Sequence, residues 1–497
     1  MGRQPSFVVE DQSAVIAFLE ARLAPQKRID THGAVVFLAG ERAYKLKRAV
    51  KFPYMDFSTP ARRAAMCAAE IEINHKLAPE IYLGTAAVTR GADGGLALSD
   101  VGDAAAANAV DWLVVMRRFD EEGMFDRLAG RGALTPDMMA ALGARVAAYH
   151  DTLAPVAGFS GPDDYRRSVA ADVRQLQEQG DRLDPAVTES LATALPMALE
   201  PFLDLVARRA AAGAVRRCHG DLHLRNIVLI DGKPVPFDAI EFSEKIASID
   251  VLYDIAFALM DLCDRDLGAL ANRLLNEWLW RIAELPGAPH EEALALLPHF
   301  LSRRATVRAF VEASGAALAG KASEEARTYQ RLALKFLQPA PPRVLAIGGL
   351  SGSGKTTLAL KMAPGIGRAP GAVVVRSDVE RKRLAGVALE ERMPAGSYTP
   401  QASARVYAAF LARAERVLQA GQSVVLDAVF ARQGERAAAE ALARQAGVPF
   451  EGIWLDVPKE VAQARIANRK GDASDATPDV VERQFGYDLG TITWQRR

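Results

Sequence analysis

A chain of 497 residues, 50% hydrophobic and 25% charged, is too long for one ordinary core and too balanced for a fibrous or disordered class, so two to four folded domains are expected. Lys plus Arg and Asp plus Glu both number 61, so the formal net charge is zero and no global basic field recruits nucleic acid or an anionic membrane. The three cysteines, Cys67, Cys218 and Cys263, are scattered and odd in number, which excludes a disulfide framework or a zinc pattern and points to a reducing cytoplasm.

The first residues, MGRQPSFVVEDQSAVIAFLEARL, flank a short apolar stretch with charges and lack a signal-peptide core. No run of about eighteen uncharged apolar residues follows, so no membrane span is expected. Residues 34–48 alternate as a hairpin, with strands at 35–38 and 43–47 around a turn at 39–42. A helical stretch follows at about 60–77, then strands near 81–89, 96–99 and 112–116. From 135 to about 215 the period is helical, with breaks expected at Pro155, Pro162, Pro185 and Pro196. Two short strands, 227–230 and 234–237, precede long Ala/Leu-rich helices from 251 to 337. A mostly β small lobe (about 1–116) thus leads into a larger helical lobe (about 117–337). The stretch Gln338-Pro339-Ala340-Pro341-Pro342 disfavours both helix and central strand and reads as a stiff linker. Residues 343–497 are the right size for one α/β domain.

Two signatures in this frame handle phosphate. Residues 219–226 read HGDLHLRN, with the His-x-Asp-x-x-x-x-Asn spacing of a kinase-type catalytic loop. The chemistry asks Asp221 to orient or accept the proton of an attacking hydroxyl, and Asn226 to reach a magnesium ion. The apolar strand ending in Asp238 offers a second metal ligand, with Glu241 as a helper, while His219 suits a backbone-holding role. In the small lobe, Lys45 and Lys47 project from one face of their strand. Lys45, with Ala two positions before it, is favoured as the phosphate-binding lysine, and Lys47 is the alternative. Glu70 is the expected helix partner, Glu72 its alternative. Residues 112–116, ending at Met116, suit the hinge that receives adenine. No G-x-G-x-x-G is present, and Thr31-His32-Gly33 is the short candidate for the phosphate-covering loop.

The second signature, residues 349–357, reads GLSGSGKTT and fits G-x-x-x-x-G-K-[ST] between an apolar run and a helix-like stretch. Backbone N–H groups across Gly349, Ser351, Gly352, Ser353, Gly354, Lys355, Thr356 and Thr357 would cradle phosphates at a helix N-terminus, with Lys355 on the terminal oxygens and Thr356 on Mg²⁺. An apolar strand ends at Asp378, placed to orient an acceptor hydroxyl, and Arg381 and Arg383 just beyond suit an acceptor phosphate. A second apolar strand ends at Asp427, placed for the metal. Arg465 and Arg469, four apart on a helix read at 461–470, suit a lid closing over the transferring group.

The segment HGDLHLRN followed by FDAIEF resembles the aminoglycoside phosphotransferase and choline kinase-like branch of the protein-kinase fold, over roughly 25–335. That resemblance implies structural anchoring by Asp250 and Asp254. Residues 343–497 resemble P-loop kinases such as the gluconate kinase-like proteins and the kinase domain of polynucleotide kinase. No Walker-B Asp-Glu pair is present, against a mechanical ATPase. The tandem resembles the bifunctional aminoglycoside phosphotransferase-like / P-loop (AAA-type) ATP-binding proteins of bacteria. The expected architecture is an α+β protein-kinase-like domain (1–337) followed by an α/β P-loop NTPase domain with a parallel sheet. The resemblance implies ATP and Mg²⁺ as cofactors and small-molecule hydroxyls as acceptors, with nucleic acid disfavoured by the neutral composition and the lack of an aromatic-basic stripe.

Overall fold

The computed structural model describes residues 7–52, 55–102, 108–159, 161–318, 323–394, 397–468 and 473–497. They form two compact units, one of residues 1–134, 152–156 and 215–254, the other of 135–151, 157–214 and 255–497. The proline-rich seam at 338–342 falls inside the second unit.

The first unit is built on an antiparallel sheet of β1 (Lys27–Asp30), β2 (Ala34–Ala39), β3 (Arg42–Lys47), β6 (Tyr82–Arg90), β7 (Leu96–Leu98) and β8 (Ala109–Arg117), in the order β1-β2-β3-β8-β6-β7. A short pair, β4 (Lys51–Phe52) and β5 (Met55–Asp56), precedes the helix Pro60–His75. That helix begins where Thr59 accepts a hydrogen bond from the Arg62 N–H and proline fills the first turn, both strong start signals. A helix not read from the sequence, Ser13–Leu23, packs Leu19 onto Val35, Phe37, Leu46 and Leu113. Strand alternation therefore sends Leu46 into that core and Lys45 and Lys47 to the opposite face.

The region around HGDLHLRN adds β9 (Val215–Arg217) paired with β12 (Ser248–Asp250), and the hairpin β10 (Ile227–Ile230) and β11 (Lys233–Pro236). Val228 and Val235 of this hairpin share a core with Cys67, Ile81, Tyr82 and Val114. Hydrophobic burial thus ties the hairpin that presents Asp238 to the helix that presents Glu70.

In the second unit, Pro162 and Pro185 start helices. Pro196 does not end one: it lies inside the helix Pro185–Leu199, contrary to the break read from the sequence. The ring removes an N–H and costs about 3 kcal/mol in an exposed helix interior. Here Leu191, Leu195 and Leu199 are buried, and packing on the helices Pro162–Gln177, Leu297–Leu318 and Glu324–Phe336 holds the element together. Among the described residues, Pro185–Ala211 is the one helical stretch long and apolar enough by composition to cross a membrane.

A parallel sheet of β13 (Val344–Gly349), β14 (Val373–Arg376), β15 (Val424–Asp427), β16 (Phe450–Leu455) and β17 (Gln495–Arg496) follows, in the order β14-β15-β13-β16-β17. The central strands are buried throughout, as expected of a sheet covered on both faces. Trp280, from the helix Gly268–Arg281, lies in the same core as Leu345, Ile347, Val374, Val425 and Ile453. Arg413, of the helix Pro400–Gln419, pairs with the buried Glu291 and Glu380 and with the exposed Glu284.

Two candidate phosphoryl-transfer sites

In the first unit, β3 delivers Lys45 Nζ to 2.9 Å from Glu70 Oε1 and 2.6 Å from Asp238 Oδ1. Lys47 Nζ pairs with the other oxygen of Glu70 and with Glu241, and is 1% exposed. Glu70 is fully buried between the two lysines, whereas Glu72 is exposed. The lysines are thereby distinguished: Lys45 faces the half-exposed Asp238 and Lys47 is sealed inside. Burial opposes the charge of Lys45, but Asp238, Glu70 and Glu241 outweigh it and raise its pKa well above the ordinary value. Burial likewise opposes ionisation of Glu70, and the two lysines more than offset it, holding its pKa low.

Asp238 reaches this position through a left-handed backbone, φ 62°, that a non-glycine residue adopts only when its surroundings fix it. Its N–H donates to the Tyr82 hydroxyl at 3.0 Å, and the next N–H, of Ala239, donates to Asn74 Oδ1 at 2.8 Å. The loop 219–226 is held as firmly. Asp254 is buried and accepts from the N–H groups of His219 (3.3 Å) and Gly220 (2.8 Å). His219 is buried with Nε2 2.9 Å from the Phe237 carbonyl, and burial lowers its pKa. Asn226 Nδ2 donates to the Asp221 carbonyl (2.9 Å) and to Asp221 Oδ2 (3.0 Å), so the two residues of the signature are in contact. Met116 is the penultimate residue of β8, half-buried next to the hairpin core. Thr31-His32-Gly33 is the turn between β1 and β2.

In the second unit the loop 349–357 joins β13 to the helix Lys355–Met362. Gly349, Gly352 and Gly354 all have positive φ, at 144°, 82° and 95°. A Cβ at Gly352 would lie 2.5 Å from the Ala462 carbonyl, and one at Gly349 2.7 Å from that of Leu455, so only glycine fits. Ser353 Oγ is buried with no hydrogen-bond partner among the described residues. Lys355 Nζ rests on the Leu350 carbonyl at 3.0 Å, and Thr356 Oγ1 lies 2.6 Å from Asp427 Oδ2. These features fit a magnesium-bound nucleoside triphosphate: a glycine cradle with an orphan hydroxyl, and a hydroxyl–carboxylate pair for the cation.

The loop opens on a chamber of about 1240 Å³ lined also by Thr357, Ser351, Asp378, Arg381, Tyr398, Tyr407, Arg432 and Tyr487. Asp378 is not the end of a strand, as read, but lies in the first turn of the helix Ser377–Ala385. Burial raises its pKa, with Arg376 pulling the other way. Arg381 stacks on Tyr398, its guanidinium 4.7 Å from the ring. Arg383 is corrected: it turns from the chamber to the Leu279 carbonyl (2.8 Å) and Glu380. Arg465, in a helix that ends at Ala467, donates to the carbonyls of Gly352 (3.3 Å) and Ser353 (3.1 Å) and so already rests on the cradle. Arg469 lies outside the described residues.

Two contributors were missed. Gln484 accepts from the Ser351 N–H at 2.7 Å, and Arg376 donates to Thr356 Oγ1 at 3.3 Å. Arg376 carried one overlooked signal, a cation ending an otherwise all-valine strand beside the P-loop strand.

Residues 55–295 match the model of the phosphotransferase enzyme family, and residues 344–487 that of an AAA domain. An uncharacterized protein of Mycobacterium tuberculosis (strain ATCC 25618 / H37Rv) is 29% identical over 479 residues, 93% of this chain and 90% of that protein. Among solved structures, a choline/ethanolamine kinase family protein from Mesorhizobium loti is 15% identical, covering 65% of this chain and 91% of its own, at a TM-score of 0.38. The Mycobacterium tuberculosis APS kinase in complex with AMPPNP and APS is 24% identical, covering 26% of this chain and 71% of its own, at 0.21. The chain thus joins a region similar to the phosphotransferase enzyme family, at 55–295, to a P-loop region similar to an AAA domain, at 344–487.

Proposed function

We propose that the chain is an ATP-dependent phosphotransferase in which both regions hold Mg·ATP and pass the γ-phosphoryl group to hydroxyls of small molecules. The observation that carries this reading is the double constellation: Lys45–Glu70–Asp238 with Asp221–Asn226 in one region, and a glycine cradle with Thr356–Asp427 in the other. Bound Mg·ATP supplies the phosphoryl group and neutralises part of its charge. The residues of the chain do the rest. Lys45 faces the phosphates, Asn226 and Asp238 hold the metal, and Asp221 takes the proton of the attacking hydroxyl. In the second region Lys355 and the loop N–H groups hold phosphate, Thr356 and Asp427 hold the metal, and Asp378 orients the acceptor.

The test is transfer of labelled phosphate from Mg·ATP to a panel of sugars, aminoglycosides, nucleosides and oligonucleotide ends. Asp221→Asn should erase transfer to one set of acceptors and Lys355→Ala transfer to another. Hydrolysis with no transfer to any acceptor in the panel counts against the reading.

A second reading is favoured by one observation: the β1–β2 turn is three residues with a single glycine, a scant cover for phosphates. Under it the first region binds nucleotide as a regulatory unit without turnover. Nucleotide binding that survives while Asp221→Asn changes no transfer supports this alternative.

A further inference from the structure

The strand β14 is an edge of the parallel sheet. An edge strand presents unpaired N–H and C=O groups that must be covered. Here a helix covers them with side chains. Asn272 Nδ2 donates to the Ala372 carbonyl at 2.9 Å, the Val374 N–H donates to Asn276 Oδ1 at 2.6 Å, and Trp280 Nε1 donates to the Val374 carbonyl at 2.8 Å. These three residues are spaced four apart, so they line one face of the helix Gly268–Arg281. The helix lies within the phosphotransferase-family region, and the strand within the AAA domain.

The same tryptophan reaches further. Val374 and Arg376, two apart on the strand, share a face. The Arg376 guanidinium lies 5.1 Å from the centre of the Trp280 ring, within cation–π range. It also donates to Thr356 Oγ1 at 3.3 Å and sits 3.4 Å from Asp427 Oδ2. Both arginine and carboxylate are nearly inaccessible, 7% and 4% exposed, so the guanidinium has little room to adopt another rotamer.

We infer that Trp280 is a positioning residue for the P-loop site: through Arg376 it sets the orientation of the Thr356–Asp427 pair. The second site is then completed by a residue from the first family region, and its magnesium affinity depends on that region. This rests on the reading of Thr356 and Asp427 as the metal side of a nucleotide site.

The experiment measures ADP binding by calorimetry, with and without magnesium, on the full chain. Lys45→Ala and Asp238→Ala are introduced together in every sample to silence the first region. The readout is the gain in ADP affinity that magnesium confers. In the reference protein that gain must exist and vanish in Lys355→Ala; its absence refutes the nucleotide reading itself and this inference with it. Arg376→Ala should reduce the gain by about 10-fold, the scale of losing a partner that orients a metal ligand. Trp280→Leu should reduce the gain in the same direction, and the Trp280→Leu/Arg376→Ala pair should fall no further than Arg376→Ala alone. Trp280→Phe, which keeps a ring face under the guanidinium, should restore the gain. An unchanged gain in Arg376→Ala or Trp280→Leu, additive losses in the pair, or a larger gain without the guanidinium would each overturn the inference. If Trp280→Leu does not fold, Trp280→Met replaces it under the same criteria.

Discussion

The two phosphate-handling regions solve one problem with different materials. The P-loop region uses a contiguous stretch, 349–357, and mostly backbone: three glycines have positive φ, and Ser353, Lys355 and Thr356 add side-chain chemistry. The kinase-like region uses side chains from distant positions: Lys45 meets Glu70 from 25 residues away and Asp238 from 193. A backbone cradle tolerates change outside its glycines, its lysine and the threonine paired with Asp427. An ionic cluster is sensitive at its buried members, Glu70 and Lys47, because removing either takes a charged partner from the groups around it.

That difference can be pressed by mutation. The largest effect is expected from Asp221→Asn. Loss of a group that handles the acceptor proton should lower turnover of the first region by about 10²- to 10⁴-fold, with Mg·ATP affinity nearly intact. Asp238→Asn should weaken Mg·ATP binding as well, and equal binding effects in a titration would show that the two aspartates do not differ in role.

Next, Glu70→Gln removes the carboxylate that Lys45 and Lys47 share, leaving Asp238 and Glu241 as their remaining partners, and should destabilise the protein by about 1–3 kcal/mol. Glu72→Gln, at an exposed position on the same helix, should cost no more than about 0.5 kcal/mol. Urea unfolding of the two variants side by side decides the matter, and equal losses would refute the buried-pair assignment.

In the P-loop region Arg465→Ala should reduce turnover by about 10²-fold, the usual loss for a stabiliser of developing charge. Because its guanidinium already bears on the Gly352 and Ser353 carbonyls, the cradle should also loosen, visible as faster hydrogen exchange across 349–357. Parent turnover and parent exchange in this variant would leave Arg465 as a surface cation only.

The smallest effect is a displaced pH limb. Burial lifts the Asp378 carboxyl above its ordinary range. A carboxylate orients an acceptor hydroxyl best when ionised, accepting its hydrogen bond, so Lys355-dependent transfer should fall as pH drops through a midpoint above the ordinary carboxylate value, roughly 3.9. Asp378→Asn should abolish that limb, and an unchanged acid limb in the variant would assign it to another group.

The sequence by itself determined the features whose physics is local. A glycine-rich loop between an apolar strand and a helix has one credible geometry, and HGDLHLRN between two short strands needs only a tight turn to bring Asn226 to Asp221. Alternation along 43–47 likewise sent Lys45 and Lys47 to one face before any packing was known. Packing alone decided the rest. Whether Glu70 or Glu72 is buried depends on the rotation of the helix Pro60–His75 about its axis, which the cores on both sides of the sheet set. Arg383 turned away because its helix lies against the Leu279 carbonyl, and Pro196 stayed helical because its neighbours are buried. The proline-rich seam at 338–342 gave no sign that a helix upstream of it covers the sheet edge downstream. Contacts between residues about a hundred positions apart, such as Trp280 with Val374, leave no local periodicity to read, since their energy arises only when both surfaces leave water together.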